Sequence, residues 1–138
     1  MSAGSLPAPG SALPSRVRFT TRTQLVRYAG AAQDPSPIHF DDAYARERGF
    51  PSVIVHGFLK AGLLEELALT WAPAGSWLQQ FSVRYRGIDL VGAPLLCQGL
   101  VTDVSDDGVV GLELWIEDEA GHRTTDARAQ LRWEGRAA

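Results

Sequence analysis

The stretch Gln33-Asp34-Pro35-Ser36-Pro37-Ile38-His39 sets a carboxylate and an imidazole five residues apart with two prolines between them. A neutral imidazole takes up a proton near neutral pH, and a carboxylate beside it can orient a water and tune the ring. Together they can make water a nucleophile. A helix cannot bring the two onto one face, because it would have to pass through Pro35 and Pro37. The prolines instead restrict the backbone over most of the interval. The same residues also fit a plainer arrangement, with Asp34 capping a turn at Asp-Pro and His39 half-buried in a loop.

A second stretch, Pro51-Ser52-Val53-Ile54-Val55-His56-Gly57, is an apolar run that ends where a buried helix should open. A glycine there lets a ligand approach the backbone. Its free amide at a helix N-terminus can stabilise negative charge developing on a carbonyl oxygen. Gly57 is therefore a candidate oxyanion donor, or else a point of tight packing between helix and strand. His56 is a candidate substrate contact, a helix cap or a hydrogen-bonding group of the core.

The elements that must position these groups follow from hydrophobic period. Arg16 to Thr20 alternates as a short strand with one buried face would. Thr21 or Thr23 can cap a helix bearing Leu25, Val26, Tyr28 and Ala29, which should end before Asp34-Pro35. Asp41 to Arg48 has acids at its start and bases at its end, as a helix dipole favours, and Gly49 is placed to terminate it. His56 to Trp71 carries Phe58, Leu59, Leu63, Leu64, Leu67 and Leu69, so most of its circumference should be buried, as in a central helix wrapped by a sheet. After Pro73, Trp77 to Arg86, Pro94 to Val104, Val109 to Glu117 and Arg123 to Trp133 alternate between turns such as Ser105-Asp106-Asp107-Gly108. Early helices followed by an antiparallel meander give an α+β domain.

The chain has 138 residues, 45% hydrophobic and 21% charged, which suits one domain (16–138) after a Pro-, Gly-, Ser- and Ala-rich segment (1–15) that reads as a flexible tail. A net charge of −3 gives no basic field for nucleic acid. The single cysteine, Cys97, excludes an internal disulfide and a cysteine-held metal, and reads as a small core residue. His122 falls in a hairpin turn. No apolar run is long enough to span a bilayer and the N-terminus lacks a signal-peptide pattern, so the expectation is a soluble cytoplasmic protein.

The stretch YAGAAQDPSPIHFDDAYARERGFPSVIVHGFL resembles the signature of the MaoC-like, (R)-specific enoyl-CoA hydratase family. The likeness is strong from Tyr28 to Leu64, and the later strands agree in order and in the turn Leu90-Val91-Gly92-Ala93-Pro94. The resemblance implies a hot-dog fold, an antiparallel sheet wrapped around a long central helix. It implies that Asp34 and His39 act on one water and that the Gly57 amide binds the oxygen of a CoA or acyl-carrier-protein thioester. The reaction implied is reversible hydration of a trans-2-enoyl thioester to a 3R-hydroxyacyl product, with neither metal nor redox cofactor. Two such units usually join edge to edge, so a homodimer or a pair with a related chain is expected. Where many relatives have Asn, this chain has Ser36, which can still hydrogen-bond locally. Arg84 and Arg86 alternate onto one strand face and either meet CoA phosphates or form a solvated face. With Ser36 and His56 they complete the candidate substrate-binding set. Two other functions are open to a hot-dog chain: hydrolysis of the thioester, against which the Asp-His pair and His-Gly argue, and a non-catalytic supporting subunit, which would not need Asp34, His39 and Gly57 together.

Overall fold

The structure, a computed structural model, describes residues 5–134. In chain order its elements are β1 (Arg16–Arg18), α1 (Arg22–Ala31), α2 (Asp42–Glu47), α3 (Gly57–Trp71), β2 (Trp77–Tyr85), β3 (Leu95–Val104), β4 (Val109–Glu117) and β5 (Arg123–Arg132). The strands form one antiparallel sheet in the order β1-β3-β4-β5-β2, and α3 packs against β2, β3, β4 and β5. This is the α+β hot-dog arrangement.

Alternation decides which side chains meet the helix. Leu95, Cys97 and Val101 of β3, Val110, Leu112, Leu114 and Ile116 of β4, and Ala127, Ala129 and Leu131 of β5 are buried with Leu63, Leu64, Leu67 and Ala68 of α3. Each such leucine contributes about 1.5–3 kcal/mol by leaving water. The outer face carries ion pairs instead: Arg123 to Glu113 at 2.7 Å, and Arg86 to Asp126. Cys97 is buried and burial pushes its thiol up to about 11, as suits a core residue.

The local starts and stops follow the side chains that can satisfy free backbone groups. Thr21, not Thr23, caps α1 by accepting from the Gln24 amide at 3.1 Å. Asp41 does the same for α2, accepting from Tyr44 at 3.1 Å, and Gly49 at φ +88° lets the chain leave that helix. On α3 the burial is less complete than the sequence suggests. Its buried side takes in Leu59, Lys60, Ala61, Leu63, Leu64, Leu67 and Ala68, while Phe58 is 68% and Leu69 42% exposed.

The segment expected to be a flexible tail is in part a docked element. The Gly10 amide donates to Val101 O at 2.8 Å, Val101 N to Ser11 O at 2.8 Å, and Leu13 N to Gly99 O at 2.9 Å. These residues continue along the β3 edge that β1 pairs with at Leu95 to Cys97. Leu13 is buried against Gly99, where a Cβ would stand 3.0 Å from its Cδ2 and 2.7 Å from Leu114. Proline-rich composition hid this because one buried leucine and three backbone bonds suffice to fix the segment. Residues 1–4 of that expectation lie outside the described residues. Among the described residues no helix is long and apolar enough to cross a membrane.

Leu13→Ala is expected to cost about 2 kcal/mol or more, as buried leucine truncations do, read as the shift in a urea unfolding curve. A loss under about 0.5 kcal/mol, typical of an exposed site, would mean that the segment is not part of the core.

Candidate active site

Asp34 is placed by the way α1 ends. Leu25 and Ala29 hold α1 down, Leu25 within a second core cluster with Ala45, Val53, Val55 and Leu59. Past Ala31, Gln33 adopts a left-handed φ of +53°; its amide donates to Gly30 O at 3.4 Å and that of Asp34 to Ala29 O at 2.9 Å. This is a Schellman closure with glutamine in the position glycine usually fills. The chain then enters a single 3-10 turn, Pro37–His39, with proline at its start, where no amide is needed.

That turn sets His39 against the apolar strand-like run before α3. Ile54 N donates to Ile38 O at 3.1 Å, and His39 Nδ1 lies 2.8 Å from Ile54 O. A carbonyl oxygen only accepts, so Nδ1 carries the proton and donates it. In the neutral ring Nε2 is then a bare lone pair, and it faces Asp34 Oδ2 at 3.5 Å. Two acceptors facing each other need a donor between them, which is what a water molecule, or a proton taken up by the ring, supplies. The Asp34 side chain is 40% exposed and that of His39 10%, so access is from the aspartate side.

His56 lies beneath this pair. It is fully buried, its ring stacked on His39 at 3.7 Å and 20°, with Tyr28 of α1 edge-on at 4.9 Å. Neither ring nitrogen has a hydrogen-bond partner among the described residues. Burial pushes its pKa below the ordinary histidine value and the neighbouring His39 pushes it further, so His56 is held neutral. Of the readings open to His56, the buried ring matches that of a core group, and it backs His39.

Ligand atoms of Asp34, His39 and His56 lie within 4.8 Å of one another, close enough to test as a metal site. Imidazole lone pairs lie in the ring plane, and here the planes are nearly parallel and 3.7 Å apart. Donors so arranged do not converge on one ion at about 2.0–2.1 Å.

Gly57 is the first residue of α3, so its amide has no intrahelical acceptor, and none of the described hydrogen bonds uses it. A Cβ at this position would stand 2.9 Å from the Tyr85 ring. The helix is packed closely on the strand here, and the amide is left without a partner among the described hydrogen bonds. His56 joins the two parts of the site, stacked on His39 and followed directly by the helix opening.

Other expected site residues are placed elsewhere. The Ser36 amide reaches Asp34 Oδ1 at 3.5 Å, the local hydrogen bonding that the sequence expects of this residue. Arg84 and Arg86 lie on the outer face of the sheet, with Asp126 and Arg128, around an open depression of about 390 Å³. The intervening Tyr85 points inward onto Gly57. Strand alternation therefore sets these arginines apart from Asp34, His39 and Gly57, as the solvated-face reading of them expects. A larger depression of about 480 Å³, lined by Gln80, Thr102, Asp103, Gly111 and Arg128 among others, is also formed by the sheet and holds none of the acid–base residues.

Sequence reasoning missed Tyr28, Tyr85 and Lys60. Burial raises both tyrosine pKa values, with Asp34 and then Glu65 adding to it for Tyr28, and Tyr28 and then Glu65 for Tyr85. Lys60 is buried in the first turns of α3. Its signal was available: a lysine in the apolar phase of an otherwise apolar helix.

This fold is that of a known class. The chain belongs to the MaoC-like domain family, which it matches over residues 7–108. It is 31% identical over 88 residues to the mitochondrial 3-hydroxyacyl-[acyl-carrier-protein] dehydratase of Arabidopsis thaliana, covering 64% of this chain and 51% of that one. The chain thus spans about half the length of that curated relative. Its fold is similar to the ChsH1-ChsH2 complex from Mycobacterium tuberculosis, with TM-score 0.86 and 21% identity, covering 94% of this chain and 100% of that one. It is equally similar to the (R)-hydratase from A. caviae involved in PHA biosynthesis, with TM-score 0.86 and 22% identity over 92% and 97% of the two chains.

Because His56 has a lower pKa folded than unfolded, the unfolded chain binds more protons as the pH drops below about 6.5, the ordinary histidine value. The contribution to stability is full above that value and declines as pH falls toward the folded pKa. Comparing urea midpoints at about pH 7.5 and pH 5.5, His56→Phe should show a smaller acid loss than the parent chain. Identical losses would mean that His56 is not held neutral.

Proposed function

We propose that this protein is a hydro-lyase that reversibly hydrates trans-2-enoyl thioesters to (R)-3-hydroxyacyl thioesters. The observation that carries this reading is His39 Nε2 facing Asp34 Oδ2 at 3.5 Å while Nδ1 is committed to Ile54 O. The free Gly57 amide of α3 lies one residue beyond the ring that backs His39. A water donating to the two acceptors presents its oxygen lone pair to C3 of the enoyl group. As the C3–O bond forms, the C2–C3 π electrons move toward the thioester oxygen, where the Gly57 amide stabilises the developing charge. The acid–base pair takes one proton from the water and a proton is delivered to C2, so the pair ends unchanged. The reaction is redox-neutral and forms no covalent enzyme intermediate.

Family membership supports a thioester substrate. The Arabidopsis relative is a 3-hydroxyacyl-[acyl-carrier-protein] dehydratase, and dehydration of such a substrate is the proposed reaction in reverse. Hydrolysis is the competing outcome, and it differs in where the water is aimed.

The partner in solution is proposed to be a second hot-dog chain, identical or related. β2 is an edge strand, and Trp77 (50% exposed) and Tyr85 (42%) leave apolar surface along it, while Phe58 and Leu69 of α3 are exposed as well.

Asp34→Asn and His39→Ala should each lower turnover of an enoyl-CoA such as crotonyl-CoA by about 10² or more, with the unfolding midpoint preserved. The decay of conjugated-thioester absorbance measures this, and near-normal rates in either variant would remove the assignment. Saturated acyl-CoA should release no free CoA in a thiol assay. Release that disappears in His39→Ala would show the water aimed at the carbonyl and move the protein to the thioesterases.

Light scattering should give at least twice the chain mass; a stable, active monomer would contradict the proposed pairing.

A further inference from the structure

Lys60 projects from α3 into the interior, where its ammonium lies 2.9 Å from Asp89 Oδ2 and 3.0 Å from Gly87 O. Thr124 of β5 donates to the same Asp89 oxygen at 2.6 Å. Lys60, Asp89 and Thr124 are all buried, at 2%, 4% and 4% exposure. A buried ion pair is a poor source of net stability compared with packed apolar side chains, so its presence beside a site calls for a geometric reason.

The backbone around Asp89 supplies one. Asp89 O accepts from Val55 N at 2.9 Å, Val91 N donates to Val53 O at 3.2 Å, and Ile54 bridges Leu90. The residues so clamped flank Ile54, whose carbonyl holds the His39 Nδ1 proton, and they lead directly into His56 and Gly57. Lys60 ties the same loop to the opening turns of α3, and Thr124 ties it to β5.

We propose that Lys60, Asp89 and Thr124 are positioning residues, a buried brace that fixes the Ile54 carbonyl and the start of α3. The brace thereby keeps His39 in its Nδ1–H tautomer and sets the Gly57 amide against it. None of the three touches the reacting atoms. The proposal rests on the hydration reading for its effect on rate, but its effect on His39 is independent of any substrate.

The test uses Lys60→Met/Asp89→Asn, which removes both charges together, and Thr124→Val, which removes one hydrogen bond while keeping volume. Side-chain nitrogen NMR reads the tautomer of His39, assigned among the three histidines by His39→Ala. In the parent chain at alkaline pH, Nδ1 should be the protonated nitrogen. In the folded double variant the ring should become a mixture of tautomers, and kcat on enoyl-CoA should fall about tenfold or more with KM little changed, as loss of orientation alone does. Thr124→Val should move both readouts in the same direction by less, and it carries the test if the double variant does not fold. Folded variants with an unchanged His39 tautomer would overturn the brace whatever the activity. A tautomer that shifts in the variants while the parent chain is inactive on every enoyl thioester would uphold the brace and count against the hydratase reading instead.

Discussion

Everything in this structure is arranged around a helix that cannot be left in water. α3 carries seven buried residues on the side that meets the sheet, and the inward rows of β3, β4 and β5 supply the apolar surface they need. The small inward residues Gly99, Ala127 and Ala129 leave room for the larger core side chains beside them; a methyl group at Gly99 would already collide with Leu13 and Leu114. The active-site elements are then hung on the N-terminal end of that helix. Burial of Val53, Ile54 and Val55 brings the Ile54 carbonyl to His39, and the next two residues are the backing imidazole and the helix-opening glycine.

Polar groups buried at this end of α3 are the costly part of the design. His56 has two ring nitrogens without partners, and the Lys60–Asp89 pair is desolvated on both sides. Removing one member of such a pair typically costs about 3–5 kcal/mol, although the intact pair adds little stability. Both features adjoin the Asp34–His39 pair or the Gly57 turn. A core built for stability alone would place leucine at these positions, so their concentration at one end of the helix marks the region where geometry matters more than stability.

The two sheet faces have divided roles. Inward, the Tyr85 ring packs against Gly57; outward, Arg86 pairs with Asp126 of β5 and Arg84 lies on the same face. One residue along a strand is enough to exchange these roles.

Much of this was legible in the sequence. Period and punctuation gave the three α-helices and all five strands, with ends close to those observed, because alternation and capping are local and strongly patterned. The Asp34, His39 and Gly57 set came from the resemblance of the stretch Tyr28 to Leu64 to a family signature, because the spacing alone fits a plain turn equally well. What the tertiary structure decided was everything that depends on which distant segments meet. Leu13 docks on β3 because an edge there was unpaired, and no composition rule sees that. The proton position on His39 depends on a carbonyl fifteen residues away, and the burial of His56 on a ring stack. Lys60 finds Asp89 twenty-nine residues on. Alternation put Arg84 and Arg86 on one face, and the fold shows which face that is, the outer one, away from Gly57. Local patterns fix the elements; burial and long-range hydrogen bonds fix which atoms face one another.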